Sequence, residues 1–131
     1  MNRSKEREQA FLLLFMKNFN PELSIDEIYD MAVESEFMQP SDFTKKLGTL
    51  TVEKIGDIDA KIGEFSVGWT IDRITKVSLS ILRIAVCEML FMDDIPVGVS
   101  INEAVELAKN YASAEDGQFI NGVLGSISKS L

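Results

Sequence analysis

The sequence predicts an all-α domain of about seven helices around one core, and three observations carry the helical reading. Apolar side chains recur at three- and four-residue spacing through most of the chain, the period of a helix with one buried face. Helix-start residues and prolines fall between those stretches. No strand-like alternation persists beyond four residues, residues 96–101 excepted, and those read better as a linker. At 131 residues, with 46% hydrophobic and 26% charged side chains, the chain has the size and composition of one domain with a continuous core.

The first helix is expected over about 3–18, with Ala10, Phe11, Leu13, Leu14 and Phe15 giving a broad buried face and Asn20-Pro21 closing its turn. Ser24 and Glu27 have capping-box spacing for the second, whose Ile28, Met31 and Ala32 share one side. Ser41 is a cap for the third, after the break at Gln39-Pro40, and Phe43, Leu47, Leu50 and Ile55 carry that helix inward. Ile58, Ile62 and Phe65 mark a short fourth helix after Gly56, with Gly68 and Trp69 in its exit. Ile71-Asp72-Arg73-Ile74 reads as a helical turn. Ser78 is expected to cap the next helix, 79 to about 92, which is apolar nearly all round and therefore central. Ser100 and Glu103 have capping-box spacing for a helix reaching about 112. The last helix, about 115–129, buries Phe119, Ile120, Val123, Leu124 and Ile127, and Gly122 and Gly125 are expected to admit a close neighbour.

Catalysis has little to work with. Histidine is absent, so the commonest general base is missing, and no glycine-rich phosphate loop or nucleophile elbow occurs. Cys87 is the only cysteine, which rules out an internal disulfide and a cysteine/histidine zinc cage. Set in an apolar run, it reads as a small core residue. Arg83, in the same run, is expected to be partly buried and paired with an acid. Neither a cofactor nor a metal is expected, and the chain reads as a non-enzyme. No apolar stretch is long enough to span a membrane and no signal peptide is evident, so a cytoplasmic setting is expected.

The net charge is −8 and unevenly spread. Residues 1–20 hold four basic and two acidic side chains, whereas 21–60 hold ten acidic and three basic. Any nucleic-acid contact is therefore local, and the acidic flank suits a basic partner. Arg3, Lys5 and Arg7 form the candidate cationic edge; Arg3 and Arg7, four apart, share a face. Phe15 and Tyr111 are candidate rings for base stacking. Spacing alone favours a solvated surface for these charges, and each ring taken singly is more often a core residue.

Longer strings narrow the reading. Residues 82–90 (LRIAVCEML), Asp94-Ile95-Pro96, residues 100–109 (SINEAVELAK) and residues 119–124 (FINGVL) occur in an order and spacing that resemble the NusB transcription-antitermination family. Arg7-Glu8-Gln9-Ala10 followed by Phe15, and Trp69 with Asp72-Arg73-Ile74, fit the same pattern. The resemblance implies a NusB-like unit over 1–131, with an N-terminal bundle over about 1–66 and a C-terminal one over about 67–131. It implies binding of boxA-type RNA in nascent ribosomal transcripts together with the small-subunit ribosomal protein NusE, within the elongating RNA polymerase complex. It places RNA contacts on Arg3, Lys5, Arg7, Phe15, Tyr111, Gln118 and Asn121, and allows a monomer or a homodimer. Ser4 stands where many members carry arginine, and Gln118 where lysine is common, so RNA binding is expected to lean on the partner. The competing readings are a protein-interaction module with little RNA binding, and a helical domain of the kind fused to ribosomal-RNA methyltransferases.

Overall fold

A computed structural model describes residues 1–131 and contains seven α-helices and no strand. They are α1 (Arg3–Lys17), α2 (Ile25–Glu34), α3 (Asp42–Glu53), α4 (Ile55–Phe65), α5 (Lys76–Phe91), α6 (Val97–Tyr111) and α7 (Ala114–Ser130), with a 3₁₀ turn at Ile71–Arg73 before α5. No helix is long and apolar enough to cross a membrane.

Caps explain most of the boundaries. Asn2 caps α1 and accepts from the Lys5 amide; Ser24 and Glu27 form the expected reciprocal box at α2; Ser41 accepts from the Thr44 amide at α3. At α7 a box not anticipated from the sequence joins Ser113 to Asp116, which gives the Glu115-Asp116 pair a structural use at a positive helix end.

Three starts differ from expectation. The cap of α5 is Thr75, accepting from the Ser78 amide, so Ser78 lies inside the first turn. The break between α3 and α4 falls at Lys54 (φ −102°, ψ 16°), which leaves Gly56 inside α4. Residues 97–101 are helical rather than a linker: α6 opens directly after Pro96, a full turn before Ser100. The Ser100/Glu103 capping box therefore does not form. Ser100 is buried and donates to Glu88 Oε1 (2.6 Å), while Glu103 accepts from Ser4 (2.7 Å). A tertiary acceptor inside the core outcompetes a local cap that would leave Ser100 facing water.

Helix α5 is central: eleven of its sixteen residues are buried, and it packs against α1, α3, α4, α6 and α7. All 29 buried apolar residues join in one cluster around it. Arg83 on α5 makes a two-pronged pair with Asp59 of α4, both contacts 2.8 Å, as expected of an arginine in an apolar helix. Cys87 is fully buried; desolvation pushes its thiol up to about 11, against a weaker pull from the Thr51 hydroxyl. It behaves as core, not as a nucleophile.

The expected close approach at Gly122 and Gly125 is not found. A Cβ built at either position meets nothing within 4 Å, whereas at Gly48 it would lie 3.2 Å from Ile25 and 3.3 Å from Leu13. The tight crossing is thus between α3 and its neighbours. Gly122→Ala and Gly125→Ala are expected to stabilise the fold by about 1 kcal/mol each, the helix-propensity difference with no clash to offset it. Urea unfolding of both single variants checks this; a loss of stability at either position would show that the glycine serves something other than helix packing.

Candidate nucleic-acid interface

The opening turns of α1 lie beside α6, joined by two bonds between residues about a hundred positions apart. Ser4 Oγ donates to Glu103 Oε1 (2.7 Å), and Tyr111 Oη donates to Glu8 Oε2 (2.6 Å). Between them Lys5 Nζ stands 2.9 Å from Glu8 Oε1. A groove of about 420 Å³ follows this seam, lined among others by Lys5, Glu8, Glu106 and Asn110. On the other side of the exposed ridge of α6 a second groove, about 620 Å³, is lined by Asn102, Glu106, Lys109, Gln118 and Asn121. Glu106 borders both, so the two grooves form one surface across α1, α6 and α7.

Beneath the seam, α1 is anchored by buried polar contacts. Arg7, 4% exposed, donates through Nε to Glu88, itself fully buried, and its Nη1 lies 3.8 Å from Glu103. With Ser100 also donating to Glu88, three helices meet at one carboxylate. Gln9, 3% exposed, exchanges bonds with the backbone of Gln39 (2.9 and 3.1 Å) and reaches Thr44. The roll of α1 about its own axis is therefore set, and with it which of its cations faces out.

The surface is not strongly basic. Its two lysines are already partnered, Lys5 by Glu8 and Lys109 by Glu106 at 3.1 Å. Such exposed pairs are worth about 0–1 kcal/mol, so a phosphate that displaces one carboxylate gives up little. At Glu8, partial burial raises the carboxyl, but the Tyr111 and Lys5 bonds outweigh it and hold it below the usual range. Tyr111 is pushed up to about 12, first by desolvation and then by donating to the Glu8 carboxylate. At neutral pH the phenol is a donor and the carboxylate an acceptor.

This pair gives a pH prediction with opposite signs at its two ends. Glu8, lowered in the fold, contributes stability that is present above about pH 4.5 and lost as pH falls through its depressed value. Tyr111, raised in the fold, contributes stability present below about pH 10 and lost as pH rises through about 12. The melting-temperature gap between wild type and Tyr111→Phe should be flat between those limits and narrow at both extremes. A gap that does not change with pH would mean the bond is absent in solution.

The NusB family model matches residues 4–129. The chain belongs to the NusB family. It is 43% identical to the transcription antitermination protein NusB of Agathobacter rectalis, over 95% of this chain and 97% of that one. To its counterpart in Oceanobacillus iheyensis it is 42% identical, over 97% and 98%. Among solved structures, one chain of the antitermination factors NusB and NusE in complex with double-stranded RNA superposes with a TM-score of 0.87 at 31% identity, covering 98% of this chain and 97% of that one. NusB of T. maritima gives 0.85 at 29%, covering 98% and 92%.

On this NusB fold the seven residues singled out from sequence separate into four groups. Lys5, Tyr111, Gln118 and Asn121 lie on the shared surface across α1, α6 and α7, all exposed. Arg3 is exposed but turned toward α3, its guanidinium 3.9 Å above the Phe43 ring and 3.7 Å from Glu6. Arg7 is a correction: it does lie on Arg3's side of α1, its guanidinium 5.8 Å from the same Phe43 ring, but there Arg3 stays exposed while Arg7 is buried against Glu88 and presents no free cation. Phe15 is partly buried in an aromatic row in which Phe11 neighbours both Phe15 (6.4 Å) and Tyr111 (5.0 Å), and Phe15 also meets Phe19 (5.2 Å).

Glu8, Glu106 and Lys109 were missed by sequence reasoning because each reads as ordinary solvated helix surface. Glu88 was legible in principle. It is the one acid inside the apolar stretch of α5, and a carboxylate there requires a buried cation somewhere in the chain.

Proposed function

We propose that this protein is a transcription antitermination factor that binds boxA-type RNA of nascent ribosomal transcripts together with the ribosomal protein NusE, as part of the elongating RNA polymerase complex. One observation carries the reading: nearly the whole chain superposes on a NusB seen with NusE and RNA, at 31% identity. In this reading residues 1–131 act as one unit, with bundles over about 1–66 and 67–131, and the surface across α1, α6 and α7 meets RNA through Lys5, Tyr111, Gln118 and Asn121. Lysine supplies charge, tyrosine a stacking face, and the two amides hydrogen bonds to base edges. The protein works by binding, not by catalysis, in the cytoplasm.

The interaction-module reading has one observation in its favour: both lysines at the grooves are neutralised within the molecule. It and the RNA reading part at one measurement. Titrating boxA RNA against this protein should show weak, salt-sensitive binding alone and at least tenfold tighter binding with NusE present. Equal affinity with and without NusE removes the co-dependence. No RNA binding under either condition favours the module.

A further inference from the structure

The acidic flank frames an apolar groove that periodicity did not reveal. Between residues 18 and 44 the chain carries seven carboxylates and no lysine or arginine. Only one of the seven, Asp26, has a cation within 4.0 Å, from Lys45. The end of α1, one side of α2 and the turn after it form a groove of about 510 Å³, lined by Met16, Leu23, Ile28, Met31, Ala32 and Phe37, and Glu22, Asp30 and Glu36 are the immediate chain neighbours of Leu23, Met31 and Phe37. Met31 is 59% exposed and Phe37 62%. The turn that brings Phe37 to the rim is well defined: Glu36 adopts φ 63°, uncommon for a side chain other than glycine, and the Met38 amide donates to Ala32 O (3.0 Å).

Charge selects among occupants. A second copy would bring the same seven carboxylates against these, and nucleic acid or an anionic bilayer would be repelled equally. A partner with apolar residues on one face and cations on the other gains on both counts. Methionine adapts to irregular side chains, and a groove of this kind accepts helical anchors at i, i+3 or i+4, and i+7. We propose that this groove docks a cationic amphipathic helix of a protein partner, its apolar side chains on Met16, Met31 and Phe37 and its lysines or arginines against Glu22, Asp30 and Glu34. The groove shares no lining residue with the surface across α1, α6 and α7, so the inference stands apart from the RNA reading.

The probe is a fluorescein-labelled 18-residue helix of leucine and lysine, with leucine at i, i+3, i+4 and i+7. Its controls are a peptide of the same composition with the leucine spacing scrambled, and a leucine/glutamate version. Anisotropy should show the patterned cationic peptide binding at least tenfold tighter than either control. Met31→Glu and Phe37→Ser should each weaken it at least tenfold, and Asp30→Lys with Glu34→Lys should weaken it and flatten its salt dependence. Circular dichroism checks that the variants fold, and boxA titration, which Met31→Glu should leave unchanged, separates this result from the fate of the RNA reading. Equal binding of the scrambled peptide, or indifference to Met31→Glu and Phe37→Ser, would overturn the proposal in favour of diffuse charge attraction. A wild-type dimer that Met31→Glu dissociates in sedimentation would overturn it in favour of a second copy.

Discussion

Replacing Glu88 with alanine is expected to destabilise the fold by about 3–5 kcal/mol, the usual cost of removing one partner from a buried ion pair. Arg7 would be left 4% exposed with no carboxylate closer than Glu103 at 3.8 Å, and Ser100 would lose its acceptor. The loss is large against the roughly 5–15 kcal/mol that holds a typical domain together. Most of it reflects the stranded guanidinium rather than the worth of the bond, so Arg7→Met combined with Glu88→Leu should recover much of the stability. Urea unfolding of the two single variants and the double variant measures this coupling. A Glu88→Ala protein within 1 kcal/mol of wild type would mean that Arg7 turns out to water and that α1 is not held as described. The consequence reaches function, because the Arg7–Glu88 contact sets which side of α1 faces α6 and so brings Lys5 and Glu8 to the seam with Tyr111.

Tyr111→Ala is expected to weaken RNA binding by about 1–3 kcal/mol, the loss of one stacked base. At room temperature that is about fivefold to 150-fold. Tyr111→Phe keeps the ring and its contact with Phe11 but gives up the bond to Glu8, so it should bind RNA close to wild type while losing the pH-dependent part of its stability. The pair of variants separates a ring that stacks from a hydroxyl that joins α1 to α6. Folded Tyr111→Ala with unchanged affinity for boxA RNA in the presence of NusE would remove Tyr111 from the interface.

The local content of the sequence was enough for the class of fold and for most of its joints. Ser24 with Glu27, and Ser41, cap where their spacing implied, because an N-cap needs only a side chain and an amide three residues on. The apolar run of α5 marked the central helix for the same reason: a helix apolar on every side has nowhere to go but inside. Arg83 could be read as paired, since an arginine in such a run must find an acid, although the sequence did not say which.

Tertiary structure decided the rest. Arg3, Lys5 and Arg7 look alike in sequence, yet one stacks on Phe43, one lines a groove and one is buried, because the sorting depends on how α1 is rolled against α3, α5 and α6. That roll is set by contacts spanning 30 to 99 positions, such as Gln9 to Gln39, Arg7 to Glu88 and Ser4 to Glu103. Ser100 makes the same point in reverse: its spacing to Glu103 is that of a capping box, but a buried carboxylate 2.6 Å away in the folded chain claims its hydroxyl. Short-range hydrogen bonding and periodicity are properties of a segment. Which charged side chain reaches water is a property of the packed molecule, since it depends on where the other helices come to rest.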